Sequence, residues 1–327
     1  MNRAGPVRVS SLLPLALALG AMLPAGAQSQ SLMAQRFQNT VPHIESGPWK
    51  GPRLPDGQPD IQGDWSNTIA NHNNFTDPQG GIPGDPQKPR RPPPPRSERA
   101  PSRVSDPADG QVPFQPWARQ AQEDLMAHSF NPVRPEYVEP LARCAPAGIP
   151  KSFYWHGYEI RQFPGYILFL FGSGSRIIHL DSKPHLPSNI KLWNGDSRGH
   201  WEGNTLVVDV SNLNAKARFG RTQEFASENV HVEERYIFDN DTRHYNYVAT
   251  FTDPTVYTRS WTATIPARRY TVADQFDEWH YEAKPANAPG KPPVADHFER
   301  VCVENDEGFG QVAGSETITS ATQPAEH

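Results

Sequence analysis

Residues 195–213, GDSRGHWEGNTLVVDVSNL, decide the fold because they hold the longest clean strand signal in the chain. Residues 205–210 form a β-branched, apolar run that is interrupted only by Asp209. Before this run, residues 196–199 have the composition of a tight turn, in which an aspartate accepts backbone hydrogen bonds. The stretch therefore predicts a turn followed by a half-buried strand, and the acid within that strand is a candidate for a specific role.

Similar strand signals recur at short intervals, separated by Pro, Gly, Asn and Asp residues that favour turns. A helical period occurs once, at residues 116–129. The remaining predicted strands lie at residues 60–65, 158–162, 166–171, 176–180, 230–238, 245–252, 261–265 and 297–303. This pattern predicts a mainly β fold, in which an antiparallel up-and-down meander forms a closed or partly open lipocalin-like barrel with one short helix.

Composition divides the chain into a small number of regions. The expected order is a signal peptide at 1–27, an N-terminal arm at 28–58 and a first strand region at 59–70. A Pro-rich flexible excursion at 71–113, a barrel-like core at 114–310 and a disordered tail at 311–327 follow.

The first 27 residues have a basic start, an apolar centre and the small residues of a cleavage site after Ala27. The sequence thus predicts a periplasmic or secreted protein without a membrane span after cleavage. Removing the two arginines of this segment leaves a net charge of −7. A surface of that charge disfavours nucleic acid as a partner.

The chain has two cysteines, Cys144 and Cys302. In an exported protein we expect them to form a disulfide bond, and two separate buried thiols are the alternative. The bond would enclose nearly all of the predicted strands.

Several short motifs carry a family resemblance. They lie at residues 59–65, 144–150, 162–166, 176–185, 195–209, 231–236 and 253–262. Together they resemble a family of exported, largely uncharacterised bacterial proteins with the pattern G-D-S-R-G-x-W-E-G-D-T-L-V-V-D. Here Asn204 replaces the acid of that pattern, and the residues after Cys302 also depart from it. Gly63 and Trp65 are spaced as in the first strand of lipocalin-like barrels. The resemblance implies a common fold and supplies no reaction.

A candidate catalytic group consists of Asp209, His231 and Arg235, with Asp253 or Tyr257 assisting. A carboxylate beside a histidine orients the imidazole ring for proton transfer, and an arginine binds an anionic oxygen. The alternative is a structural polar network, in which Arg235 pairs with Asp209 or Glu202. We expect Asp209 to lie on the same inward face as the aromatic side chains. The candidate catalytic group would then lie at the mouth of the barrel.

Four further residues are candidate ligand contacts, on the expectation that aromatic faces point into the barrel. They are Trp201, Thr205, Tyr247 and Trp261. An interior of aromatic and polar groups suits a small organic molecule that is amphipathic or aromatic.

Three functions therefore remain open: an exported small-molecule-binding barrel, a cofactor-free acid/base enzyme (lyase, isomerase or hydrolase), and a structural or interaction protein of the cell envelope. We expect no cofactor and no metal. His179, Asp181 and His185 offer a partial metal-ligand set, but a fourth ligand is not evident. The sequence does not define an oligomeric state.

Overall fold

Ten strands and one α-helix make up the described part of this computed structural model, which covers residues 41–66, 74–78, 80–84, 95–153 and 157–269. The strands are β1 (Gly63–Ser66), β2 (Val104–Asp106), β3 (Gly157–Phe163), β4 (Tyr166–Phe171), β5 (Gly174–His179), β6 (Asp196–Glu202), β7 (Thr205–Ser211), β8 (His231–Phe238), β9 (His244–Thr252) and β10 (Trp261–Arg269). The helix α1 is Pro116–His128, and short 3-10 helices are Arg96–Glu98, Pro135–Tyr137, Pro140–Arg143 and Lys151–Phe153.

The strands form one sheet that closes into a nine-stranded barrel. Its order is β1, β3, β4, β5, β6, β7, β8, β9, β10, and β1 also pairs with β10. The short strand β2 pairs with the first half of β10. Closure leaves no long free edge, which explains why so many short strands are stable together. The predicted mainly β, lipocalin-like barrel with one helix is thus confirmed.

One connection departs from the predicted antiparallel meander. Strands β5 and β6 are parallel and meet at a single pair, His179 with Arg198. Parallel neighbours need a crossover, so residues 180–195 return along the outside of the barrel. This loop carries His185 to the outer surface, and that position becomes important below.

The predicted turn at residues 196–199 is wrong, because these residues begin strand β6. The turn lies instead at Gly203 and Asn204, since Glu202 pairs directly with Thr205. Gly203 has a φ of 62°, as two-residue hairpin turns require. The chain therefore reverses between Trp201 and Thr205, and their side chains face opposite sides of the sheet, because Trp201 pairs with Leu206.

Aromatic side chains fill the barrel. Tyr236, Tyr245 and Tyr247 are fully buried, as expected for inward-facing strand positions. Phe153, from the 3-10 helix Lys151–Phe153, enters between the strands and stacks on Tyr247 with ring centroids 4.3 Å apart. It also meets Tyr158, Phe169, Phe171 and Tyr236 edge to face. The interior around Phe153 is therefore a packed core.

Part of the predicted flexible excursion is ordered in the sheet. Val104 is buried and pairs with Ala263 of β10, so the second half of residues 71–113 contributes a strand that composition did not reveal. The N-terminal arm is held as well, because Gly47 donates its backbone N–H to the Asn204 side chain. Trp49 packs into the core from the same arm.

Several predictions fall outside the described residues: the signal peptide, the strand at 297–303, Cys302 and the tail. The disulfide bond therefore stays a prediction. Among the helices that the structure describes, none is long and apolar enough to cross a membrane.

Candidate functional site

Two residues predicted to act together lie in contact on the outer surface of the barrel. His231 Nε2 is 2.8 Å from Asp209 Oδ2. His231 begins β8, Asp209 lies near the end of β7, and both side chains are about half exposed. Val208 and Val210, on either side of Asp209, face the core instead. Strand alternation therefore places this pair on the outer face, and the expectation that Asp209 shares a face with the aromatic lining is wrong.

The same carboxylate contacts a second histidine. His185 Nε2 is 2.7 Å from Asp209 Oδ1, and His185 Nδ1 is 2.9 Å from Asp196 Oδ2. A carboxylate only accepts hydrogen bonds, so both contacts are hydrogen bonds when both ring nitrogens carry a proton. We call His231, Asp209, His185 and Asp196 the outer-face relay.

Arg198 anchors the inner end of this relay. Its guanidinium contacts Asp196 at 3.2 Å and Asp181 at 3.0 Å. The Leu186 backbone N–H also donates to Asp196, at 2.9 Å. Asp196 is nearly buried, whereas the far end of the relay is open to solvent.

Both carboxylates of the relay ionise more readily than free aspartate. Burial of Asp196 opposes ionisation, but hydrogen bonds from Leu186, His185 and Arg198 outweigh it and lower the pKa of Asp196. Partial burial also opposes ionisation of Asp209, yet hydrogen bonds from His231 and His185 lower its pKa. The relay therefore presents two carboxylates that are charged at neutral pH.

The third member of the predicted catalytic group does not join this pair. Arg235 lies on the same outer face, but its Nη2 is 2.7 Å from Glu202 Oε2. Its next carboxylate is Glu233, at 3.8 Å. The structure thus places Arg235 in the pairing with Glu202 that the structural alternative specified.

Asp253 and Tyr257 belong to a separate, buried turn after β9. Asp253 accepts hydrogen bonds from the backbone N–H and hydroxyl of Ser227 at 2.7 and 3.0 Å. The Tyr257 hydroxyl donates to the Phe225 carbonyl at 2.8 Å. Burial raises the pKa of Tyr257, so this phenol stays protonated. These contacts fix the turn and keep both side chains buried, whereas His231 is half exposed.

The four predicted ligand contacts lie within packed regions. Tyr247 and Trp261 are fully buried, and Trp261 stacks on Phe251 at 4.5 Å. Thr205 is buried beneath the N-terminal arm, where its hydroxyl donates to Ser46. Trp201 faces the core, 6.1 Å from Phe238. None of these four side chains lines the large cleft described below.

An unforeseen ion pair lies inside the barrel. Arg176 contacts Glu234 through two hydrogen bonds of 2.9 and 2.6 Å, and both side chains are buried. Ser197 accepts from the same guanidinium, and the Tyr247 hydroxyl donates to Glu234 at 2.7 Å. Burial disfavours the charged guanidinium, but the adjacent Glu234 raises the Arg176 pKa above its usual value. Protein groups satisfy the hydrogen-bonding capacity of both charged side chains. The ion pair therefore has a structural role inside the barrel.

A cleft lies outside the barrel, between α1, residues 74–76 and 83–84, and the loop after Gly220. Its volume is about 810 Å³. Its described lining includes Asn74, Val112, Gln122, Met126, Phe130 and Glu224. Gln122 of α1 donates to the Thr222 carbonyl at 2.5 Å, which ties the helix to the loop. The lining combines apolar surface from Val112, Met126 and Phe130 with a larger number of polar and charged side chains, among them Arg119 and Glu123. An amphipathic molecule matches such a mixed lining.

Glu224 is the distinctive group of this cleft. It is 3% exposed and accepts a hydrogen bond from the Thr222 hydroxyl at 2.7 Å. Burial raises the pKa of Glu224, although Thr222, Arg119 and Lys151 oppose the rise. A buried carboxyl group in a cleft is a functional-site candidate with a physical basis.

Within the described ranges, one group of side chains has the spacing of metal ligands. It consists of Asp239, Asp241 and His244, at the turn between β8 and β9. Arg243 already pairs with Asp241, and the Lys50 backbone N–H contacts the same turn at Asn240. His179, Asp181 and His185 do not form such a group, because Asp181 and His185 point to Arg198 and Asp209.

Sequence reasoning missed Asp196, Glu224 and the inner ion pair as members of sites. The alternation of β8 did place Glu234 on the face of Val232 and Tyr236, and an acid on an apolar face signals a buried partner. The dipeptide Gly203–Asn204 signalled the hairpin that sets Asp196 in a strand. Glu224 lies in an irregular loop, where no periodic signal exists.

Comparison of the chain with protein-family models, with curated proteins and with solved structures finds no match. The geometry of the described residues therefore carries the functional argument.

Proposed function

We propose that this protein binds a small amphipathic organic molecule in the cleft between α1 and the loop at residues 222–224. The observation that carries the proposal is the cleft itself, with the buried Glu224 carboxyl group in its wall. A volume of about 810 Å³ falls within the range of roughly 300–1,000 Å³ that small-molecule sites occupy.

The filled barrel favours this location over the interior. Phe153 occupies the space in which a lipocalin-like barrel would hold a ligand. The charges of Arg176 and Glu234 are paired with each other and so do not face a ligand. A ligand inside the barrel would have to displace a packed aromatic ring. The free-energy cost would resemble that of removing a large side chain from a core. The cleft requires no such displacement.

The lining suggests how a ligand would bind. Val112, Met126 and Phe130 supply an apolar wall for an aromatic or aliphatic body. Burial raises the pKa of Glu224, so its carboxyl group keeps its proton to a higher pH than a solvated glutamate does, and in the protonated form it can donate a hydrogen bond to a ligand oxygen or nitrogen. Gln122 and Asn74 add neutral polar contacts at the same cleft.

The test is a fluorescence titration with N-phenyl-1-naphthylamine, a neutral amphipathic dye that brightens in apolar sites. We expect saturable 1:1 binding by the wild-type protein. Ala127→Trp, on the exposed cleft side of α1, should abolish this binding because the indole fills the cleft. Gln120→Trp is the matched control, since Gln120 is an exposed residue of the same helix outside the cleft lining.

Loss of binding in Ala127→Trp together with retention in Gln120→Trp supports the proposal. Equal binding by both variants, or no saturable binding by the wild type, overturns it. The latter result would favour a structural role in the cell envelope, for which a filled barrel is also suitable.

We further propose that the protein is exported and that Cys144 pairs with Cys302. The basic and apolar segments of residues 1–27 support export, and an oxidising compartment favours the bond. Alkylation of folded protein followed by mass spectrometry tests the pairing. Cysteines that react without prior reduction would contradict it.

A further inference from the structure

The outer-face relay connects four side chains in series, whereas an ordinary surface charge pair connects two. Its four side chains are joined end to end by three contacts of 2.7–2.9 Å between imidazole nitrogens and carboxylate oxygens. They come from three strands and the crossover loop, so the sheet and the loop hold them together. His231 Nε2 faces Asp209, which leaves Nδ1 as the ring nitrogen that faces away from the relay.

This arrangement fixes the chemistry of His231. In its neutral form the ring donates Nε2–H to Asp209, and the lone pair then lies on Nδ1. Asp209 cannot turn away from His231 without losing its contact with His185. Asp196 in turn holds His185, and Arg198 holds Asp196. The relay therefore presents one oriented imidazole nitrogen at a half-exposed position.

The crossover loop of the outer face also exposes apolar side chains to which an apolar reactant could bind. Leu186, Ile190 and Leu192 are exposed on the crossover loop that carries His185. Charged groups are present as well: Glu233 lies opposite Asp209, Arg235 is engaged by Glu202, and Lys191 of the crossover loop donates to the Glu228 carbonyl at 2.7 Å. Thr252 lies opposite His231 on β9 and adds no charge.

We propose that the outer-face relay is a hydrolytic site for activated, apolar carboxylic esters, with His231 as the nucleophile. Nδ1 attacks the ester carbonyl carbon, the bond from that carbon to the leaving oxygen breaks, and the alcohol or phenol departs as its anion. Attack by the neutral ring leaves a cationic acyl-imidazolium. Water then attacks its carbonyl carbon, the bond from that carbon to Nδ1 breaks, and the carboxylic acid departs. One proton is released in this step, which neutralises the departed anion and leaves the ring neutral. The net reaction consumes one ester and one water, and no oxidant or cofactor is needed.

In this reaction His231 is the catalytic residue, because it alone contacts the ester. Asp209 and His185 are positioning residues, which fix the tautomer and the direction of the ring. The site lies on the outer face of β7 and β8, apart from the cleft residues, so it is independent of the proposed binding function.

The probe is p-nitrophenyl butyrate, whose hydrolysis is followed by release of p-nitrophenolate. His231→Gln should lower the rate by about tenfold or more, as loss of an oriented catalytic group generally does. His200→Gln is the matched control. His200 lies on the same outer face and contacts a carboxylate, Glu202, but no second histidine supports it.

Asp209→Asn separates positioning from mere stability. We expect a lower rate and a displaced pH–rate profile, at an unchanged circular dichroism spectrum.

Mass spectrometry of acid-quenched reactions should find a butyryl group on the peptide that contains His231. Equal rates for wild type and His231→Gln, or equal losses in the His231→Gln and His200→Gln variants, would overturn the proposal, because either result means that surface imidazoles react without orientation.

Discussion

Arg176 and Glu234 form a two-point ion pair at the centre of the barrel, with Nη1–Oε1 and Nη2–Oε2 distances of 2.9 and 2.6 Å. Both side chains are excluded from solvent. Ser197 and Tyr247 complete the hydrogen bonds of the pair. The two charges therefore stabilise one another, and neither is available to an incoming ligand.

Removing one partner should destabilise the fold strongly. Glu234→Ala leaves the Arg176 guanidinium buried without its counterion, and we expect the free energy of unfolding to fall by about 3–5 kcal/mol. Urea denaturation followed by tryptophan fluorescence measures the change. The double variant Arg176→Met/Glu234→Leu should lose less than Glu234→Ala, because no buried charge remains.

An exposed pair provides the control for this comparison. Arg235→Ala breaks the contact with Glu202 on the outer face, and we expect a loss of about 1 kcal/mol or less. If Glu234→Ala cost no more than Arg235→Ala, the inner pair would not be buried as the structure describes.

Phe153 should be one of the largest single contributors to the core. Phe153→Ala removes a ring that five aromatic neighbours surround, and we expect a loss of about 3–5 kcal/mol from lost burial and the resulting cavity. Phe163→Ala is the matched control, since Phe163 is 40% exposed and stacks on Tyr166 alone among aromatic groups of the described ranges. Comparable losses in the two variants would contradict the packing of Phe153.

The sequence predicts the barrel better than the sites, for physical reasons. Strands such as Tyr166–Phe171 follow from local alternation and β-branched or aromatic composition. Strand Asp196–Glu202 was missed because Asp, Ser, Arg and Gly favour turns, and only pairing with β7 makes them extended. Tertiary pairing here overrides local propensity.

The contact between Asp209 and His231 also followed from alternation, because adjacent strands bring matching faces together. The sequence did not show which face of β7 points into the barrel, since valines flank Asp209 and occur on both faces of this strand. His185 arrives through the parallel crossover, whose path no local signal specifies. Glu224 depends on how an irregular loop meets α1, and such contacts are encoded only in the whole fold.

The hairpin turn gives a prediction about the N-terminal arm. Gly203 has a φ of 62°, and a Cβ atom there would lie 2.0 Å from the Gly47 carbonyl oxygen. Gly203→Ala must therefore move backbone, and we expect a loss at least about 1 kcal/mol larger than that of Gly165→Ala. Gly165 has a φ of 86°, and an added Cβ atom there would have nothing within 4 Å. Gly165→Ala therefore measures the backbone strain of a positive φ without a steric clash.

Limited proteolysis supplies the second measurement for this variant. Because the clash is with the arm, Gly203→Ala should speed cleavage near Gly47, whereas Gly165→Ala should not. Equal cleavage and equal stability in the two variants would show that the arm does not rest on this turn.

Glu224 should impose a pH dependence on stability. The unfolded chain releases a glutamate proton near a pH of about 4.3, whereas burial raises the pKa of Glu224 in the folded protein. Between these two pKa values the folded state binds more protons, so this group lowers the free energy of unfolding as pH rises. Above the folded pKa its destabilising contribution is constant.

Glu224→Gln cannot ionise, and its amide can still accept the hydrogen bond from the Thr222 hydroxyl. We therefore expect its stability relative to wild type to increase as the pH rises from about 4.3 towards the raised pKa of Glu224, as measured by urea denaturation at each pH. Glu123→Gln is the matched control, because Glu123 lines the same cleft but is exposed. A stability difference that stays constant over this range would mean that the Glu224 carboxyl group ionises like a solvated one, and the cleft would then present a carboxylate instead of a hydrogen-bond donor.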